Sequence, residues 1–108
     1  MPPNYKFIVE VDREHSDELR ELLREQNVYK GEIIRKALDI PSLIIITAAT
    51  LNIIDIIRRW YKDKQKESKN PKVRIFKYNE TKFTKMGKEI QDFEKKSLEE
   101  IEVELKEE

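Results

Sequence analysis

The sequence predicts an α+β domain: a long apolar helix packed on a small, mostly antiparallel sheet, with two or three further helices. Three observations carry this expectation. Residues 5–11 alternate with a period of two, as a strand with one buried face does. Residues 42–63 repeat apolar side chains at helical spacing. Residues 73–84 read as two short strands around a turn. A chain of 108 residues allows one domain, with expected bounds of 1–97 and an acidic C-terminal extension over 98–108.

In YKFIVEV, Tyr5, Phe7, Val9 and Val11 face one way while Lys6, Ile8 and Glu10 face the other. DREHSDELRELLREQN then changes to helical spacing, with Leu19, Leu22 and Leu23 as its stripe. Ser16 is the expected N-cap, Asp17 and Glu18 suit the positive end of the helix dipole, and Asn27 is the expected stop. GEIIRKALDI at 31–40 fits a short helix through Ile33, Ile34, Ala37 and Leu38, and a strand over 32–37 stays open. Pro41 blocks any helix continuing through Ile40.

The segment SLIIITAATLNIIDIIRRWYKDKQKE is the most informative. At 100° per residue, Leu43, Ile46, Thr50, Ile53, Ile54, Ile57, Trp60 and Tyr61 share one side of a helix. The opposite side carries Asn52, Asp55, Arg58, Arg59 and Lys62 in its second half, but Ile44, Ile45, Ala48 and Leu51 in its first. The first two turns are therefore apolar all round and need burial on both sides. The run from Leu43 to Leu51 is far short of the roughly 20 residues a membrane span needs. Ile44, Ile45, Ala48 and Leu51 are accordingly expected to be buried inside the domain or in a self-association interface, with Ala48 and Ala49 permitting close approach of a second helix.

KQKESKNPK at 64–72 reads as a polar linker broken at Asn70-Pro71. In VRIFKYNETKFTK the turn falls at Tyr78-Asn79-Glu80-Thr81. Val73 and Ile75 face one way and Phe76 and Tyr78 the other, so part of the hairpin is expected to be covered on both sides. Beyond it, Met86, Ile90 and Phe93 form a helical stripe. Ser97 with Glu100 has the spacing of a capping box that restarts a helix carrying Leu98, Ile101 and Leu105. The alternation Ile101, Val103, Leu105 fits a strand equally well, so the end of the chain is open.

The residues exclude much chemistry. There is no Cys, hence no disulfide, thiol nucleophile or thiolate metal site, and the lone His15 rules out His-cluster sites. Gly31 and Gly87 are the only glycines and neither sits in a phosphate loop. In REHSDE, His15, Ser16 and Asp17 are sequence neighbours, which cannot adopt triad geometry unaided. Asn52 and Asp55 read as a solvated edge with Asp55 pairing Arg58 or Arg59. Glu99, Glu100, Glu102 and Glu104 lack the ordered spacing and glycine turn of a calcium loop. No catalytic, cofactor or metal residue is expected.

The zero net charge hides an asymmetry. Residues 58–88 hold 12 basic and 3 acidic side chains, and residues 89–108 hold 3 basic and 9 acidic. Either the acidic tail folds back on the basic segment or both are solvated faces. The sharper alternative is a phosphate-binding surface of Arg58, Arg59, Lys62, Lys64, Lys66, Lys69 and Lys72. Trp60, Tyr61, Phe76 and Tyr78 are the aromatics that such a surface would interleave, although Trp60 and Tyr61 fall on the apolar helical face. The N-terminus has no basic region followed by an apolar one, which points to a cytoplasmic location. The Lys/Glu-rich bias is that of hyperthermophile proteomes, and an AT-rich genome would enrich Ile and Lys as well.

From Gly31 to Ser97, an apolar helix ending in Arg58-Arg59-Trp60-Tyr61-Lys62 leads through a basic linker into a short hairpin and then a helix. In this the chain, over residues 5–97, resembles the effector-associated constant component domains of prokaryotic conflict systems. It departs from them at the turn, where Asn79-Glu80 replaces a glycine, and before the apolar helix, where Asp39-Ile40-Pro41 replaces small residues. The resemblance implies a small non-catalytic adaptor linking sensor and effector proteins. The expected function is therefore a non-enzymatic protein-interaction module, self-associating or bound to such a partner, with nucleic-acid binding through 58–88 as the alternative.

Overall fold

A computed structural model describes residues 4–33 and 40–106. In chain order the elements are β1 (Tyr5–Val11), α1 (Arg13–Glu25), β2 (Tyr29–Ile33), β3 (Ser42–Ala48), α2 (Asn52–Lys66), β4 (Val73–Tyr78), β5 (Met86–Ile90) and α3 (Leu98–Lys106). The strands form one sheet in the order β2-β3-β1-β4-β5, and every neighbouring pair is antiparallel. The fold is α+β. Its first six elements, β-α-β-β-α-β with β1 between β3 and β4, are two interleaved split β-α-β units, the ferredoxin-like arrangement. β5 and α3 are added after it.

The expected helix over 42–63 is corrected: its first part is the strand β3, and the helix α2 begins only at Asn52. Leu43 to Ala48 is dominated by β-branched side chains, which lose rotamer freedom in a helix and fit a pleated surface. The strand lies between β1 and β2, so both its edges are hydrogen-bonded, and both its faces carry buried side chains. Ile44, Ile46 and Ala48 pack under the helices, while Leu43 joins Ile8 and Phe76 on the other face. The all-round apolarity thus comes from a two-sided interior strand. In α2 the expected stripe holds, with Ile53, Ile54, Ile57 and Trp60 buried.

β1 is a strand, as its alternation predicts, and Phe7, Val9 and Val11 enter the main core, but Ile8 is fully buried on the opposite face, so the expectation of one buried face is corrected to two. Helix α1 begins three residues before the expected cap. Asp12 is its N-cap, whereas Ser16 is buried inside the first turns with its hydroxyl donating to the Arg13 carbonyl at 3.0 Å. Leu19 and Leu23 are fully buried. Asn27 takes φ 58°, a left-handed conformation that Asn tolerates and that ends the helix. The 31–40 reading is settled only in part, because β2 reaches Ile33 and residues 34–39 lie outside the described residues.

The hairpin begins as expected and ends differently. β4 puts Val73 and Ile75 on the helix side and Phe76 on the other. Its partner, however, is Met86–Ile90, after a loop over 79–85. The expected helical stripe at Met86 and Ile90 is corrected to a strand. A register shift pairs Phe76 with Glu89 but Tyr78 with Met86, so β5 carries one extra residue. This bulge turns Met86 and Ile90 to opposite faces. Gly87 stands at the bulge, where a Cβ would meet the Lys77 carbonyl oxygen at 3.0 Å.

At the C-terminus the helix wins. The Glu100 amide donates to Ser97 Oγ at 3.1 Å, and that hydroxyl donates to Glu100 Oε1 at 3.2 Å, as the capping-box spacing predicts. Ile101 is fully buried in the main core, with Leu98 and Leu105 against it, so 98–106 packs on the domain. Among the described residues no helix is long and apolar enough to cross a membrane.

Candidate interaction surface

α1 and α2 lie side by side and antiparallel on one face of the sheet. Their contacts fix the pairing. His15 meets Trp60 edge-on at 6.4 Å, and Trp60 Nε1 donates to Glu18 at 3.1 Å. Lys64 bridges Glu18 and Glu67. Further along, Leu22 joins Ile56, Arg59, Trp60 and Asp63 around a groove of about 230 Å³. The hydrogen bond from Lys64 holds the Glu18 carboxyl below the usual carboxylate range, against an upward push from burial and with help from Trp60. Reciprocally, Glu18 raises the Lys64 ammonium.

The outward faces of these helices carry opposite charge. On α1, Glu14, Asp17, Glu21 and Glu25 are all exposed. On α2, Arg59, Lys62 and Lys66 are exposed, and among the described residues they have no ion-pair partner. Helical spacing produces this: 14, 17, 21 and 25, and likewise 59, 62 and 66, recur three or four residues apart, opposite the buried stripes. The acidic helix is held to the sheet by Arg20, which forks onto Glu32 of β2 with both bonds at 2.9 Å and reaches Asp17 at 2.6 Å.

The basic residues read from the sequence are therefore divided. Arg58 is structural: it pairs with Asp55 at 3.0 Å and donates to the carbonyls of Phe93 and Lys96. Lys64 is spent on Glu18. Arg59, Lys62 and Lys66 share one exposed face, and Lys69 and Lys72 are exposed in the connection to β4. Among the described residues the acidic tail does not cover them. Glu104 pairs with Lys96 and Glu102 with Lys106, both at 2.8 Å within the tail itself. The aromatics are committed elsewhere: Trp60 and Phe76 are buried, Tyr61 packs on Phe93, and Tyr78 lies under Lys6.

The four expected interface residues are also separated. Ile44, Ala48 and Leu51 lie in the main core. Ile45 lies half-buried on the opposite sheet face, with Ile33, Tyr78 and Met86 around Ile8, Leu43 and Phe76. That face is rimmed by Glu10, Arg74 and Glu89, with Arg74 bonded to Glu10 at 2.9 Å and lying 5.0 Å over the Phe76 ring. They do not form one surface.

Clusters with chemical potential are few. Asp12, Glu14 and His15 have ligand atoms within 4.8 Å of one another. Asp12 is already engaged at both oxygens, by His15 Nδ1 at 2.6 Å and by the Lys72 amide at 2.8 Å. Asp12 staples the start of α1 to the entry of β4. Ser16 bonds to Arg13 and takes no part. A cavity of about 730 Å³ between β4, β5 and α3 is lined by Lys77, Tyr78, Glu80, Thr81, Lys88 and Glu104 among others, and the Thr81 hydroxyl donates to Asn79 Oδ1 at 2.7 Å. Phe83, at the tip of the 79–85 loop, is 100% exposed.

Comparison of the chain with protein-family models, with curated proteins and with solved structures finds no match.

Proposed function

We propose that this chain is a non-enzymatic protein-interaction module that works through the outer face of its α1–α2 layer. One observation carries the reading: an acidic helix face and a basic helix face lie alongside an apolar groove lined by Leu22, Ile56 and Trp60. Such a surface combines a small apolar centre with charges that steer and orient a partner. An adaptor role, of the kind the effector-associated resemblance implies, belongs to the same proposal. The ferredoxin-like arrangement supports many functions and does not choose among them.

Nucleic-acid binding is the second reading, favoured by the exposed Arg59, Lys62, Lys66, Lys69 and Lys72. Against it stand the row of carboxylates on the adjoining helix, which repels phosphates, and the burial of Trp60, the aromatic on the same helix as the basic face.

The test is in-cell photo-crosslinking from a photoreactive residue placed at Leu22 or at Ile56, with Thr47 on the opposite sheet face as control. A discrete protein adduct from the two helix positions and none from Thr47 supports the reading. Nucleic-acid adducts, or no protein adduct from either helix position, overturn it.

A further inference from the structure

We infer that the α1–α2 face binds a second copy of this chain, through a two-fold axis running parallel to the two helices and midway between them. This rests on the interaction reading above and names its partner. Such an axis carries α1 of one copy over α2 of the other and leaves heights along the helices unchanged. An acidic face then meets a basic face twice, once on each side of the axis, and the two apolar grooves meet along it.

The heights fit. Glu18 lies level with Trp60 and Lys64, and Leu22 lies level with Ile56 and Arg59. Asp17 of one copy is therefore level with Lys62 and Lys66 of the other, and Glu21 with Arg59 and Lys62. Reflection of the charges the other way, with α1 over α1, would set Glu14, Asp17, Glu21 and Glu25 against themselves. The charge pattern thus selects one orientation. Over the groove, Leu22 and Ile56 are only half-buried in a single copy, and contact with the same pair across the axis completes their burial.

Two helices of 13 and 15 residues give a face about 20 Å long and about 20 Å across. At about 800 Å² over both copies, that is below the roughly 1,000 Å² of a stable interface, so association is weak, concentration-dependent and salt-sensitive.

The experiment is sedimentation of the purified full chain at about 50 mM and about 500 mM salt. The expected species at low salt has twice the 13.0 kDa of one chain, and its dissociation constant rises at least about tenfold at high salt. Two charge-reversed variants sharpen it. E21K/E25K makes both helices basic and K62E/K66E makes both acidic. Each alone sediments as a monomer with an unchanged circular dichroism spectrum, because these positions are exposed and take no part in the Arg20 anchor. Mixed together, they restore a dimer containing one of each.

A wild-type monomer at all concentrations overturns the second copy as partner. A dimer that persists in both reversed variants but is lost in Thr47→Glu does so too, by moving the contact to the opposite sheet face. Failure of this inference is distinct from failure of the interaction reading: a monomer in isolation that still gives protein crosslinks from Leu22 or Ile56 has a different partner.

Discussion

Removing Arg20 isolates the one salt bridge in which burial makes a large effect. Arg20 forks onto Glu32, whose side chain is 4% exposed against 19% for Arg20. The Glu32 hydrogen bonds raise the Arg20 guanidinium far above its already high range, against desolvation, with Asp17 adding to the rise. Arg20→Met leaves the Glu32 carboxylate buried without its countercharge. Breaking a buried pair by removing one partner costs about 3–5 kcal/mol, because an uncompensated charge stays inside.

Removing both charges, as in R20M/E32L, recovers most of the loss, because a packed apolar pair replaces an orphaned charge. Urea unfolding of the wild type, R20M and the double variant at pH 7 measures both quantities. A deficit in R20M under about 1 kcal/mol, the size of a surface pair, or a double variant as unstable as R20M, would refute this account of the pair.

Three further outcomes are expected. Ile57→Ala, at a fully buried position of α2, costs about 2–5 kcal/mol and lowers Tm by about 4–8 °C per kcal/mol in calorimetry; a loss under about 1 kcal/mol would mean the helix is not docked as described. Ser97→Ala removes the cap of α3 and costs about 0.5–2 kcal/mol in chemical denaturation, with amide exchange speeding up first at Glu99–Ile101. Glu18→Gln tests the Lys64 bond: because its folded pKa lies below the unfolded one, its contribution is present above the ordinary carboxylate range and lost as pH falls through the folded value. The stability gap between Glu18→Gln and wild type should therefore close below about pH 4, and a gap that persists there would assign the effect to packing.

The legible parts of the fold were those where local pattern and final environment agree. The alternation at 5–11, the Leu19 and Leu23 stripe, the left-handed stop at Asn27 and the Ser97–Glu100 box each involve neighbours within four residues, and each stands in the structure. The candidate surface was half legible. Spacing places Arg59, Lys62 and Lys66 together on a helix, but whether a charged face lies beside one of opposite sign depends on how two helices pack. Arg58 and Lys64 looked equivalent to them in sequence, and only Phe93, Lys96 and Glu18, brought in from other elements, withdraw them from the surface.

Sequence by itself determined an α+β domain with a small antiparallel sheet, the absence of cysteine chemistry and of histidine clusters, and the segregation of charge along the chain. Tertiary structure alone decided whether Leu43–Ala48 was helix or strand, since an apolar run carries no period that separates a buried helix from a strand with apolar side chains on both faces. It decided that Met86 and Ile90 face opposite ways, because one residue of bulge reverses the phase of everything beyond it. It also decided that the acidic tail closes on its own lysines and leaves the face of α2 open. Net charge is summed along a chain, whereas a surface is made by whichever residues packing leaves outside.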